Sequence, residues 1–262
     1  MKSQQAEHIN EYDDVTVKML ELIWGEGFMA PGGSQLVHRV FDGVEIAGKR
    51  ILDIGCGLGG ADIILAREFG AEIVAIDLEQ PLIDRARKSI EQAGFDHLVE
   101  CRHVLPGPLD FASASFDIVF SIGAFTQTPD KPQLFAEVYR VLKKTGHVLS
   151  YDWTKSPGPL SDDMKTWIKL EELTYEMQTI DDQCHDLYNV GFRDVEGRDD
   201  EGWYAEASSK ELDLLRGPLH NQLDELFGSQ QAEHFIANWI ALERVLNERA
   251  LLPAFFKGQK PA

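Results

Sequence analysis

The sequence predicts an α/β chain built on a mostly parallel sheet, and three observations carry that prediction. Strand-like apolar runs alternate with helical segments between residues 50 and 152. The first strand ends in an acid and opens at once into a glycine loop, Arg50-Ile-Leu-Asp-Ile-Gly-Cys-Gly-Leu-Gly-Gly60. A second acid, Asp77, closes the next strand, Glu72-Ile-Val-Ala-Ile-Asp77. Sheets of this kind are covered by helices on both faces and receive ligands beyond the C-terminal ends of their strands.

In chain order, residues 16–24 place apolar side chains at helical spacing, and Gly25-Glu-Gly-Phe-Met-Ala-Pro-Gly-Gly33 then breaks the helix into a glycine-rich flap. A short helix over 35–41 leads into the strand 50–54. Helix 61–69, strand 73–77, helix 81–93 with Pro81 near its start, strand 98–104, strand 116–121, helix 131–142 and strand 146–152 follow. Beyond Trp153 longer helical patterns predominate, over 161–177, 181–190 and 209–250, interrupted at Phe192-Arg-Asp-Val-Glu196 and Gly217-Pro218. The tail 251–257 reads as a last strand that Pro253 should confine to an edge or a bulge. The expected organisation is a flap over 1–35, a cofactor-binding core over 36–153, and a helical cover with the final strands over 154–262. The cover is not a separate domain.

Composition excludes several classes. The 262 residues are 44% hydrophobic, enough for a large core in one elaborated domain. No run is long enough to span a bilayer, and residues 1–14 resemble neither a secretory signal nor a transit peptide, so a cytoplasmic location is expected. A formal charge of −19 repels phosphate backbones and anionic lipid. Neither nucleic acid nor a membrane is an expected partner; a small molecule is, and the oligomeric state stays open between monomer and homodimer. Cys56, Cys101 and Cys184 are scattered, which suggests free packing thiols and no metal site.

The glycine loop lets the backbone turn sharply and approach a ligand, with the N–H groups of the next helix turned toward it. Gly55, Gly57 and Gly60 also satisfy a dinucleotide spacing, so the loop alone leaves a nicotinamide dinucleotide open. Asp53 would repel a pyrophosphate, but it suits a cofactor that carries an ammonium and a sulfonium. Asp77 can accept hydrogen bonds from the ribose of either cofactor.

Over residues 48–153 the order of signals resembles the class I methyltransferases that use S-adenosylmethionine. The matching pieces are Leu52-Asp-Ile-Gly-Cys-Gly-Leu-Gly59, Asp77, Ser115-Phe-Asp-Ile-Val-Phe-Ser121, and the turn Val141-Leu-Lys-Lys-Thr-Gly-His-Val-Leu149 before the fifth strand. The segment 12–33 is similar to the entrance segment of phosphoethanolamine and sarcosine/dimethylglycine methyltransferases. The resemblance implies a Rossmann-like, doubly wound, mostly parallel seven-stranded sheet with an N-terminal helical flap and a helical C-terminal cover. It assigns S-adenosylmethionine to Met29 and Ala30 of the flap, to Asp53, Gly55, Gly57 and Gly59 of the loop, to Asp77 and Leu78, and to Ser121. Tyr12 takes the place of the tyrosine in that branch's tyrosine–histidine pair.

Departures from the branch are as informative. Its fourth-strand arginine, aspartate and histidine are matched here by Ile122, Gly123 and Gln127, which leaves Tyr12 and Gln127 as the catalytic candidates. The acid that usually follows the third strand is absent, so Val104 and Leu105 are expected to hold adenine through backbone and apolar contacts. Glu171, Glu172 and Glu176 stand where a phosphate-binding arginine is expected; they read as a solvated helix face, and they argue against a phosphobase substrate. Trp153 and Tyr175 are the candidates for an acceptor wall, since an aromatic face stabilises a cationic product. His103 and His147 read as packing or surface residues.

The expected activity is methyl transfer from S-adenosylmethionine to a small polar acceptor, with an amine nitrogen favoured. O- or C-methylation of a small metabolite is the nearest alternative. An NAD-dependent oxidoreductase and a catalytically silent cofactor-binding protein are the alternatives from other classes.

Overall fold

The computed structural model describes residues 12–200 and 202–262. The N-terminal part begins with α1 (Asp14–Trp24) and α2 (Ser34–Val40), separated by the glycine-rich flap. Then come β1 (Arg50–Ile54), α3 (Gly60–Phe69), β2 (Glu72–Asp77), α4 (Gln80–Ala93) and β3 (Val99–His103). The second half of the sheet is built from β4 (Phe116–Ile122), α5 (Ala124–Gln127), α6 (Lys131–Val141) and β5 (Leu142–Lys155). The cover follows as α7 (Asp162–Glu171), α8 (Ile180–Val190), β6 (Arg193–Asp199), α9 (Trp203–Arg216), α10 (His220–Phe227), α11 (Ser229–Asn247) and β7 (Leu251–Gln259).

These elements form one seven-stranded sheet in the order β3-β2-β1-β4-β5-β7-β6, in which β7 runs antiparallel to both neighbours. Alternation along each strand sorts side chains to two faces. Ile51, Ile73, Ala75, Ile118 and Phe120 pack with Leu36, Leu65, Ile83 and Ala86 of α2, α3 and α4. Leu52, Val74, Ile76, Val119 and Val148 pack with Phe135 and Val138 of α6 and Leu187 of α8. A third apolar cluster lies within the cover, where Met164, Trp167, Tyr204, Leu212, Phe235 and Trp239 meet Met19 and Leu20 of α1. Side-chain caps start several helices. Asp13 accepts from Thr16 N (2.7 Å), Asp130 from Gln133 N (3.0 Å) and Ser161 from Met164 N (3.1 Å), each stabilising its helix by about 1 kcal/mol.

Three expectations change. The helix expected over 161–177 stops at Glu171, because Glu172 adopts a left-handed backbone (φ 57°), and residues 173–179 form no regular element. There Glu176 N bonds Thr126 O (2.9 Å) and Lys155 N bonds Gln178 O (3.0 Å), so tertiary pairing overrides the helical spacing. The pattern over 209–250 divides into three helices, broken at Gly217-Pro218 as expected and again at Gly228. Pro253, finally, lies in β7 between two partner strands rather than at an edge. Its carbonyl accepts from Asp200 N (2.9 Å), on the β6 side and beyond the last β6 ladder pair, Asp199 with Ala254. An extended residue points its N–H and C=O the same way, so the hydrogen that proline lacks falls where β6 has already ended.

Candidate active site

The C-terminal ends of β1, β2, β4 and β5 open into a cavity of about 810 Å³, closed on the opposite side by α1, the flap, α7, α9 and α11. One end of it is the glycine loop. Gly55 N and Cys56 N both bond Ile76 O (2.8 and 3.0 Å), which ties the loop to β2. Gly55 has φ 82°, and a Cβ there would lie 2.3 Å from Ala124 Cβ, so only glycine lets β1 turn against α5. The flap touches the same loop: Gly60 N donates to Gly27 O at 3.1 Å.

Acids line this end. Asp77 accepts from Gly57 N and from Glu79 N, both at 2.9 Å, and a carboxylate with two such bonds still has acceptor capacity for the cavity it borders. Burial raises its pKa, against the pull of those backbone bonds. Asp53 lies at the base of the cavity and is 2% exposed. Its neighbour Asp62, on the first turn of α3, is fully buried. Burial raises both pKa values, that of Asp62 to about 8, and the repulsion of Asp62 and Asp77 adds to the rise at Asp53. The two carboxyls lie close enough to act on each other, and burial disfavours charging both at once.

The other end of the cavity is aromatic. Trp153 sits 5.2 Å from Tyr204 and 6.1 Å from Trp167, and Trp167 stacks on Tyr175 at 5.4 Å. Trp24 and Trp239 lie 6.0 Å apart. Buried Glu211 of α9 orients three of these rings, accepting from Trp24 Nε1 (2.9 Å), Trp239 Nε1 (3.0 Å) and Tyr204 OH (3.4 Å). Burial raises its pKa. Thr126 fixes Trp153 by accepting from its backbone N–H at 2.9 Å.

Most of the residues expected from sequence meet at this cavity. Tyr12, Met29, Ala30, Asp53, Gly55, Gly57, Asp77, Leu78, Val104, Leu105, Gln127, Trp153 and Tyr175 all line it. Two do not. Gly59 faces α4, where a Cβ would meet Ile90 Cδ1 at 3.1 Å, and Ser121 is buried in the sheet with its hydroxyl donating to Ile54 O at 2.9 Å. Both shape the loop from behind. Glu171 departs from the expected solvated face: it lines the cavity and accepts from Tyr175 OH at 2.8 Å, whereas Glu172 and Glu176 are exposed. Asp62, Glu211 and Asn238 were not singled out by sequence reasoning. Asp62 alone left a signal, as an acid in the first turn of an apolar helix.

The fold is that of class I methyltransferases, and residues 52–150 match the family model described as a methyltransferase domain. Several relatives of the chain are phosphoethanolamine N-methyltransferases. Phosphoethanolamine N-methyltransferase 1 of Zea mays is 28% identical over 232 residues, covering 88% of this chain and 45% of the maize protein. The phosphoethanolamine N-methyltransferase of Plasmodium falciparum (isolate 3D7) is 25% identical, over 87% of this chain and 84% of its own length. Among solved structures, phosphoethanolamine N-methyltransferase 2 of Haemonchus contortus, in complex with phosphomonomethylethanolamine and S-adenosylhomocysteine, superposes with a TM-score of 0.89 at 25% identity. That match covers 97% of this chain and 59% of the nematode one. The chain thus spans about half the length of the plant relatives it matches.

Proposed function

We propose that this protein transfers a methyl group from S-adenosylmethionine to a nitrogen of a small polar acceptor. The observation that carries the reading is the single cavity that joins the acid-lined glycine loop to an aromatic chamber. The residues at the loop fit the cofactor. Gly55 and Gly57 let it approach the backbone, Asp53 faces a cationic methionine moiety, and Asp77 has acceptor capacity for ribose hydroxyls. Leu78, Val104 and Leu105 offer apolar surface to adenine, and Met29 and Ala30 close over it from the flap. Gly59 and Ser121 support the loop.

Bound S-adenosylmethionine supplies an electrophilic methyl whose leaving group is neutral, so the protein's task is alignment and exclusion of water. Tyr12 and Gln127 border the chamber and are suited to hold the acceptor amine in line. Trp153 and Tyr175 wall it with aromatic surface that favours the cationic product. Among the described residues no helix is long and apolar enough to cross a membrane.

Thermal shift and calorimetry with S-adenosylhomocysteine and with NAD test the cofactor, and stabilisation by NAD alone would overturn the reading. Asp77→Ala should weaken S-adenosylhomocysteine binding at least tenfold, about 1.4 kcal/mol. It should change turnover at saturation far less, because ribose contacts are the same in ground and transition states. A labelled-methyl assay across amines, alcohols and thiols tests the acceptor atom. Turnover confined to alcohols or thiols would refute N-methylation.

A further inference from the structure

The chamber's charges discriminate among amine acceptors. The described residues that line the cavity include no lysine or arginine, while Asp13, Asp130, Glu137, Glu171 and Glu172 join the acids of the loop end. The aromatic chamber contains one of these acids, Glu171. Its carboxyl accepts from Tyr175 OH at 2.8 Å and from the side chain of Asn238. Asn238 is 7% exposed, and its remaining polar atom, Oδ1, has no hydrogen-bond partner among the described residues. The imidazole on the same wall, His234, lies near enough to Glu171 to act on it electrostatically.

The wall therefore offers two hydrogen-bond acceptors, a carboxylate and an unsatisfied amide oxygen, set among the faces of Trp153, Trp167 and Tyr204. That combination suits an ammonium group, whose N–H bonds need acceptors and whose charge is attracted by aromatic faces. A phosphate dianion would meet a carboxylate and ring faces of its own sign of potential, with no lysine or arginine among the described lining residues to offset its desolvation. Burial raises the pKa of Glu171, and the bonds from Tyr175 and Asn238 oppose the rise, so an approaching cation would favour its charged form.

We propose that the polar part of the acceptor is an unphosphorylated amine on an otherwise apolar body, and that Glu171 with Asn238 Oδ1 binds its ammonium and sets specificity against phosphate esters, the Glu171 carboxylate taking one N–H proton so that the nitrogen lone pair is free to receive the methyl group. The proposal rests on the methyltransferase reading above. Its departure from the substrate named for the structural relatives lies in these side chains and not in the fold.

Titration of the S-adenosylhomocysteine-loaded protein with phenethylamine and with phosphoethanolamine, followed by tryptophan fluorescence, tests it. Phenethylamine should bind at least tenfold more tightly than phosphoethanolamine, and Glu171→Gln should weaken phenethylamine at least tenfold while Glu176→Gln, at an exposed residue outside the lining, leaves it unchanged. Equal or tighter binding of phosphoethanolamine, no phenethylamine binding, or indifference to Glu171→Gln would overturn the proposal. Thermal stabilisation by S-adenosylhomocysteine is recorded for every variant. Its loss in the wild type would refute the cofactor reading itself, whereas its retention with the wrong amine preference refutes only the acceptor class. If Glu171→Gln alone loses that stabilisation, Asn238→Leu carries the same test, with the same tenfold loss expected.

Discussion

Replacing Gly60 by alanine probes the seam between the flap and the glycine loop with one methyl group. A Cβ at Gly60 would lie 2.4 Å from Gly27 O, 2.9 Å from Gly27 C and 3.0 Å from a ring carbon of Phe28. Two of those atoms are backbone and have no rotamer by which to retreat, so the flap must move outward by about 1 Å to restore ordinary contact distances. Overpacking of this kind costs ~1–3 kcal/mol. The displacement also strains the 3.1 Å bond from Gly60 N to Gly27 O, worth about 1 kcal/mol when intact. Against this, alanine in a helix gains up to ~1 kcal/mol over glycine. The net penalty, ~1–3 kcal/mol, falls on docking of the flap, because α3 itself accepts alanine. If Met29 and Ala30 close over the cofactor, Gly60→Ala should weaken S-adenosylhomocysteine on the order of 10- to 100-fold. Calorimetric titration measures this, and limited proteolysis at the flap should accelerate in parallel. Unchanged affinity with an unchanged cleavage rate would refute the claim that this seam governs cofactor binding.

Two further outcomes follow from the buried acids. Asp62 is protonated in the fold up to about pH 8 but ionises near its ordinary value of 3.8 when unfolded. The folded chain then holds the extra proton between those values, so stability should fall as pH rises from 4 to 8, by up to ~1.4 kcal/mol per pH unit for one proton. Asp62→Asn should remove that one proton's share of the slope in urea titrations across this range, and an identical slope would contradict a proton held on buried Asp62. Glu211→Leu leaves two indole N–H groups and a phenol without their acceptor, a loss of several kcal/mol at ~1–3 kcal/mol per group, whereas Glu211→Gln keeps one acceptor and should cost less. Denaturant melts with tryptophan fluorescence would count against this hub if Glu211→Leu were as stable as wild type.

The chain's local chemistry determines the cofactor half of this protein almost alone. Asp53, Gly55, Gly57 and Asp77 are within 25 residues of one another, and the strand-turn-helix that joins them dictates where they point, so spacing was enough to bring them together. Even there, Asp62 was hidden, since an acid in a helix's first turn reads as surface until its neighbours bury it. The acceptor half depends on contacts remote in sequence. Tyr12, Gln127, Trp153, Glu171, Tyr204 and Asn238 come from six different segments, and no periodicity within any one of them records the cavity they share. Glu171 shows the reason most directly. Its place on α7 suggests a solvated face, but the turn at Glu172 and the bond from Glu176 to Thr126 return the chain over the chamber and put Tyr175 against its carboxyl. Pro253 is the same lesson in the sheet: proline chemistry forbids a ladder bond, yet only the early end of β6 shows that none was required. Sequence thus determined the strand-end acids and the glycine turn through bonded neighbours, and tertiary packing decided the acceptor chamber because its walls meet only once the sheet is closed.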